Sequence, residues 1–88
     1  MDDSYVYRLD ADSRVLVRYH ERDINGIQYY RVPEKKWVKD SKNLFMGVYC
    51  GFDDSEEITA EEAEALAKFF EEGKDFRRGT NWRKLLNL

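Results

Sequence analysis

His20 and Cys50 are the sole histidine and cysteine of the chain. A thiolate–imidazole pair would need them within hydrogen-bond reach of each other. The alternation around His20 puts it on an open sheet face, and Cys50 sits between an apolar run and Gly51. That is the setting of a buried, inert thiol. Carboxylates offer a second chemistry. Asp53, Asp54, Glu56 and Glu57 form an oxygen-rich run, but without the alternate spacing around a turning glycine that a calcium loop uses. Acids just ahead of a helix complement its dipole, which gives the run a structural role. They cluster on one loop and helix instead of flanking a cleft, so general acid–base work has little support. No phosphate-cradling glycine loop occurs. The expectation is a non-enzymatic protein without metal or cofactor.

Binding chemistry is better represented. Residues 52–72 carry nine acids against one base, and residues 73–88 carry five bases against one acid. The total of −3 therefore hides an acidic helix followed by a basic tail, and segregated charge is a statement about partners, the chain's own other half included. Three surfaces are candidates. The first gathers Arg18, His20, Arg22 and Arg31 around Tyr29, the residue types that dominate binding hot spots. The second is the outward face of the helix, with Glu61 and Glu64, which would engage a basic partner or simply be solvated. The third is the tail KDFRRGTNWRKLLNL, with Arg77 and Arg78. Bases interleaved with Phe76 and Trp82 suit a nucleic-acid backbone. The cheaper reading docks Trp82, Leu85 and Leu86 on the core and lets the arginines neutralise the acidic helix.

The elements that position these residues follow from periodicity. Residues 4–10 and 14–24 alternate, as strands do. A three-residue loop of Ala11 to Ser13 closes Asp10 on Arg14, placing Tyr7 opposite Val17 and Tyr5 opposite Tyr19, all on one apolar face. Asn25-Gly26 predicts a two-residue hairpin turn into a third strand at 27–32, with Ile24 facing Ile27. Pro33 ends pairing. Residues 35–39 make a short fourth strand or an arm anchored by Trp37, and residues 41–50 a short irregular helical turn. Thr59 to Glu62 reads as a capping box, opening a helix over 59–72 with Ala63, Leu66, Ala67 and Phe70 inward. Gly73 ends it, and a last helical turn spans Asn81 to Leu86.

Eighty-eight residues fit one domain, 1–88, with a basic C-terminal tail at 74–88. One cysteine makes no internal disulfide, so a reducing cytoplasm is the natural setting. No apolar run is long enough to span a membrane, and MDDSYVYRLD lacks the apolar region of a signal peptide. The expected fold is α+β: an antiparallel meander of three to four strands, one face covered by the capped amphipathic helix.

YVYRLDADSRVLVRY, the Trp37-Val38 pair, GVYCGFDD and the E-I-T-x-E-E-A run from Glu57 to Ala63 resemble a group of small, functionally uncharacterised proteins of Firmicutes and their mobile elements. The basic tail after Gly73 departs from that pattern. In size and acidity the chain is also similar in style to phage anti-defence inhibitors, anti-CRISPR proteins among them. The expectation from the surfaces themselves, Arg/Tyr anchors on the sheet or carboxylates on the helix, is stoichiometric binding of a partner protein, extending to inhibition of a larger enzyme or nucleoprotein. Nucleic-acid binding through Arg18, Arg22, Arg31, Tyr29 and the tail is the rival expectation.

Overall fold

The computed structural model describes residues 5–10, 14–51, 54–77 and 79–88, the side chain of Ile24 excepted. The architecture is α+β. Strands β1 (Tyr5–Asp10), β2 (Val15–His20), β3 (Gln28–Arg31), β4 (Lys36–Lys39) and β5 (Ser55–Ile58) form one antiparallel sheet of order β4-β3-β2-β1-β5. Helix α1 (Met46–Cys50) lies between β4 and β5 in the chain, and α2 (Ala60–Glu71) and α3 (Trp82–Leu85) follow β5.

Five strands replace the expected three to four. The fifth comes from the acidic run that reads as a solvated loop. Ser55–Ile58 pairs with β1, Tyr7 opposite Ile58 and Asp10 opposite Ser55. Arg8 secures it: its Nε donates to Ser55 Oγ at 2.7 Å and its Nη2 to the Ser55 carbonyl at 3.0 Å. Ile58 is the inward anchor, 6% exposed, while Glu56 and Glu57 keep solvent access.

The first hairpin pairs one residue away from expectation. Asp10 lies opposite Val15, Leu9 opposite Leu16, and Tyr7 opposite Arg18. The cause is Arg14. It takes a left-handed φ of 53° and donates its N–H to the Asp10 carbonyl at 2.7 Å, so it belongs to the turn and not to the strand. The expected loop residues, Ala11 to Ser13, lie outside the described residues. A one-residue slip moves a strand's side chains to the other face. Tyr5, Tyr7, Leu9, Leu16, Arg18 and His20 therefore share one face, and Val6, Val15, Val17 and Tyr19 the other.

That split is stable because both faces have covers. On the first, Leu9, Leu16 and Ile58 pack with Ala63, Leu66 and Ala67 of α2 and with Trp82 of α3. On the second, Val17, Tyr19 and Ile27 pack with Val48 of α1. Burying a side chain such as Leu66 stabilises by about 1.5–3 kcal/mol, so a sheet buried on both faces makes use of both apolar sets.

The Asn25-Gly26 hairpin does not form. Ile24–Gly26 is a single 3-10 turn capped by Asp23, whose Oδ1 accepts from Asn25 N at 3.1 Å. Neither Asn25 nor Gly26 has a positive φ. Glycine serves close approach here: a Cβ on Gly26 would stand 2.6 Å from Asp23 Oδ2. Pairing between β2 and β3 begins further back, with Val17 opposite Tyr29 and Arg18 opposite Gln28. Lys36–Lys39 is the fourth strand, joined to β3 by a turn in which Lys35, at φ 55°, donates to the Val32 carbonyl.

The helices fall where their local signals put them. In the capping box, Thr59 Oγ1 accepts from Glu62 N at 3.0 Å and Thr59 N donates to Glu62 Oε1 at 2.9 Å. Gly73, at φ 80°, closes the other end by donating to the Phe70 carbonyl. Buried Asp40 organises the approach to α1, accepting from Leu44 N and Phe45 N at 2.8 Å each. Cys50 corrects the buried-thiol expectation. It is exposed, because α1 is short, turns Val48 inward, and ends at Gly51 with φ 83°.

Candidate functional site

The slipped register decides which functional side chains meet. Arg18 and His20 lie on the α2 face. Tyr29 lies on the α1 face, its ring 5.1 Å from Phe45. Arg31 shares that face and pairs with Glu34 at 2.7 Å. Arg22 is exposed in the turn after β2, and Arg77 is exposed after α2. Arg78 lies outside the described residues. The expected basic patch of Arg18, His20, Arg22, Tyr29 and Arg31 is thus divided by the sheet. His20 and Cys50 are also on different sides, since α1 packs against the second core.

In place of that patch the α2 face carries a cleft of about 520 Å³ between helix and sheet, bordered by both Arg18 and the acids Glu61 and Glu64. Small residues make the room: α2 presents Ala60, Ala63 and Ala67 to it, opposite Tyr7, Tyr30 and Trp37 of the sheet. Trp37 stands edge-on to both tyrosines, at 5.8 Å from Tyr7 and 5.3 Å from Tyr30, an arrangement favoured by the ring quadrupoles.

Arg18 is the centre of the floor. Its guanidinium lies 4.3 Å from the Tyr5 ring centroid and 4.4 Å from that of Trp37. Its Nε donates to Gln28 Oε1 at 2.6 Å. His20 extends the stack, 4.1 Å from Tyr5 and nearly parallel to it. At the far end the Tyr30 hydroxyl donates to the Glu71 carboxylate. Burial first, and then the Glu71 charge and hydrogen bond, push the Tyr30 phenol up to about 12. Glu71 opposes the helix dipole where it stands, so this tie across the cleft supplies the reason for it that the helix alone does not.

Comparison with protein-family models, with curated proteins and with solved structures found no match. The resemblances drawn from short motifs therefore rest on those motifs, and function has to be argued from the site.

Of the tail's arginines, Arg83 takes the self-neutralising course, while Arg77 is exposed and pairs with no acid among the described residues. Trp82 is 5% exposed and Leu86 packs beside it, whereas Leu85 points outward. Arg83 bridges two elements, Nη1 to Glu56 at 2.5 Å and Nε to Glu62 at 2.6 Å, and its guanidinium covers the Trp82 ring. These carboxylates raise the Arg83 pKa, and Arg83, followed by the Thr59 backbone N–H, holds the Glu62 carboxyl below its ordinary value. Among the described residues no group of three or more His, Cys, Asp or Glu side chains is arranged to hold a metal ion, and no helix is long and apolar enough to cross a membrane.

Sequence reasoning named Arg18, Glu61 and Glu64 but assigned them to separate surfaces. Tyr7 reads as a residue of the apolar sheet face and Trp37 as the anchor of a strand or arm. The signal that unites them is the pairing of Tyr7 with Arg18, which depends on Arg14 leaving the strand.

Proposed function

We propose that the protein is a small protein-binding module of the cytoplasm that takes up a segment of a larger partner, one to one, in the cleft between α2 and the sheet. Where that segment belongs to the working surface of an enzyme or nucleoprotein, binding inhibits it, in the manner of the anti-defence inhibitors the chain resembles in style. The observation that carries this reading is Arg18, stacked between Tyr5 and Trp37 beside the open space. Aromatic rings and arginine in a recess of this kind are what anchor protein interfaces, and about 300–1,000 Å³ is the usual size of a recess that holds a compact ligand. Nucleic acid is less well served. A phosphate backbone needs unopposed cations, and here Glu61 and Glu64 border the same cleft while Arg31 and Arg83 are engaged internally.

The test is affinity capture from host lysate with a photo-crosslinking residue in place of Glu64, run beside the same protein carrying Trp37→Ala. The expected result is one predominant crosslinked protein at near-equal stoichiometry, reduced at least about tenfold by Trp37→Ala, as for a hot-spot truncation. Capture indifferent to Trp37→Ala, or salt-sensitive retention on single-stranded RNA in its place, would overturn the proposal.

A further inference from the structure

Several charges away from the cleft meet their opposites within the chain: Arg83 with Glu56 and Glu62, Arg8 with Glu57, Arg14 with Asp75, Arg31 with Glu34, Lys74 with Glu72. What sets the cleft apart is that unpaired charges of both signs line a single recess. At the cleft, among the described residues, Arg18 has no carboxylate partner, and Glu61, Glu64 and Lys68 have no ion-pair partner either. Unneutralised charge of both signs borders one recess, and its geometry is partly fixed. Two rings and Gln28 hold the Arg18 guanidinium, whose planar fork matches a carboxylate bidentately. Glu61 and Glu64 stand three residues apart on α2, the spacing of side-by-side neighbours on a helix.

Resting on the docking reading above, we infer that the occupant is a peptide segment of the partner protein that carries an acidic and a basic side chain together. The acid pairs with Arg18, and the lysine or arginine lies along Glu61 and Glu64. A segment with bases alone meets Arg18 and Lys68; one with acids or phosphates alone meets the two glutamates. Each single-sign ligand therefore encounters an uncompensated like charge, and opposition of this kind is how interfaces exclude wrong partners. The aromatic floor takes the apolar stems of the two long side chains.

Selection of a displayed random heptapeptide library against the full chain, followed by calorimetry on a synthetic peptide of the selected type, tests this. Enriched peptides are expected to carry at least one Asp or Glu together with at least one Lys or Arg. Arg18→Met should weaken the mixed-charge peptide about tenfold, the worth of a charge-assisted hydrogen-bonded pair. It should leave a version with the acid replaced by Gln unaffected. Glu61→Gln with Glu64→Gln should weaken the same peptide about threefold, as exposed pairs do. Because these two positions are exposed on the helix surface, that pair keeps the test decisive even if Arg18→Met lowers stability. Enriched peptides of one sign only would overturn the mixed-charge assignment and leave the docking cleft standing. Free amino acids binding as tightly as the peptide would overturn the peptide assignment. No enrichment, or binding indifferent to Arg18→Met, to the glutamate pair and to Trp37→Ala, would overturn both.

Discussion

The two faces of the sheet are covered by different means. On one, the five residues of α1, Val48 and Tyr49 among them, close with Phe45 over Val17, Tyr19 and Ile27. On the other, α2 is more than twice as long and reaches from the end of β5 to Tyr30 of β3, yet it leaves a cleft. Length of cover and completeness of cover are therefore separate properties. The short element closes over β2 because its inward residues meet β-branched and aromatic partners there. The long one stands off because alanines face the aromatic strands, and the space they leave is bordered by charge. A sheet with both faces sealed would be a stable fold with nothing to offer a partner. Here α1 closes one face over β2, and the other face offers a recess floored by aromatic rings and Arg18.

This contrast can be broken most directly in the cores. Leu66, fully buried on the α2 face, should lose about 3 kcal/mol on truncation to alanine. Val48, its counterpart under α1, should lose about 2 kcal/mol. Urea unfolding followed by far- and near-ultraviolet circular dichroism should show one coincident transition for each variant, because the two faces share the same strands. An early, separate transition in Val48→Ala would mean that the α1 face is an independent unit.

The clamp between tail and helix gives a smaller effect with a pH signature. Glu62 is held below its ordinary value by Arg83. Its contribution is fully present above the unfolded carboxyl value of about 4.3 and is lost as pH falls through the depressed folded value. Arg83→Met should cost about 1 kcal/mol at neutral pH. The gap from the parent should narrow in urea titrations near pH 3, leaving what the Arg83–Trp82 stacking contributes. A gap unchanged by acid would mean that the stacking, and not the ion pair, supports the tail.

The smallest effect is at the cleft's own tie. Tyr30 is raised to about 12, so the stability it brings is complete below the unfolded tyrosine value of about 10 and is lost as pH rises through the folded one. Tyr30→Phe should cost about 0.5–1 kcal/mol at pH 7, flatten the stability curve between those values, and remove the last tyrosine to ionise in an absorbance titration. If all the tyrosines of the parent titrate together, Tyr30 and Glu71 do not meet in solution.

Legibility in the sequence followed the range of the forces involved. Helix α2 could be read outright, since a capping box and a 3.6-residue stripe are complete within a dozen residues. The first hairpin could be read as a hairpin, but its register turned on Arg14 occupying a left-handed φ that arginine rarely takes. Asn25-Gly26 misled because Asp23 captures the Asn25 N–H and draws the chain into a 3-10 turn. Strand β5 was the least legible, for its partner lies 47 residues away along the chain and glutamates are depleted in strands. The cleft inherited these errors. Its charged residues could be named singly, while their meeting with Tyr7, Tyr30 and Trp37 required the true pairing of β1 with β2.

Trp37 stands at the cleft under Arg18, half-buried, whereas Trp82 opens the tail helix and is turned into the core. The molecule thus carries two built-in optical reporters in contrasting surroundings. One is placed to shift its emission and its quenching by iodide when the recess fills. The other is placed to register only the loss of the fold, so occupancy and integrity are readable in a single spectrum without any added dye.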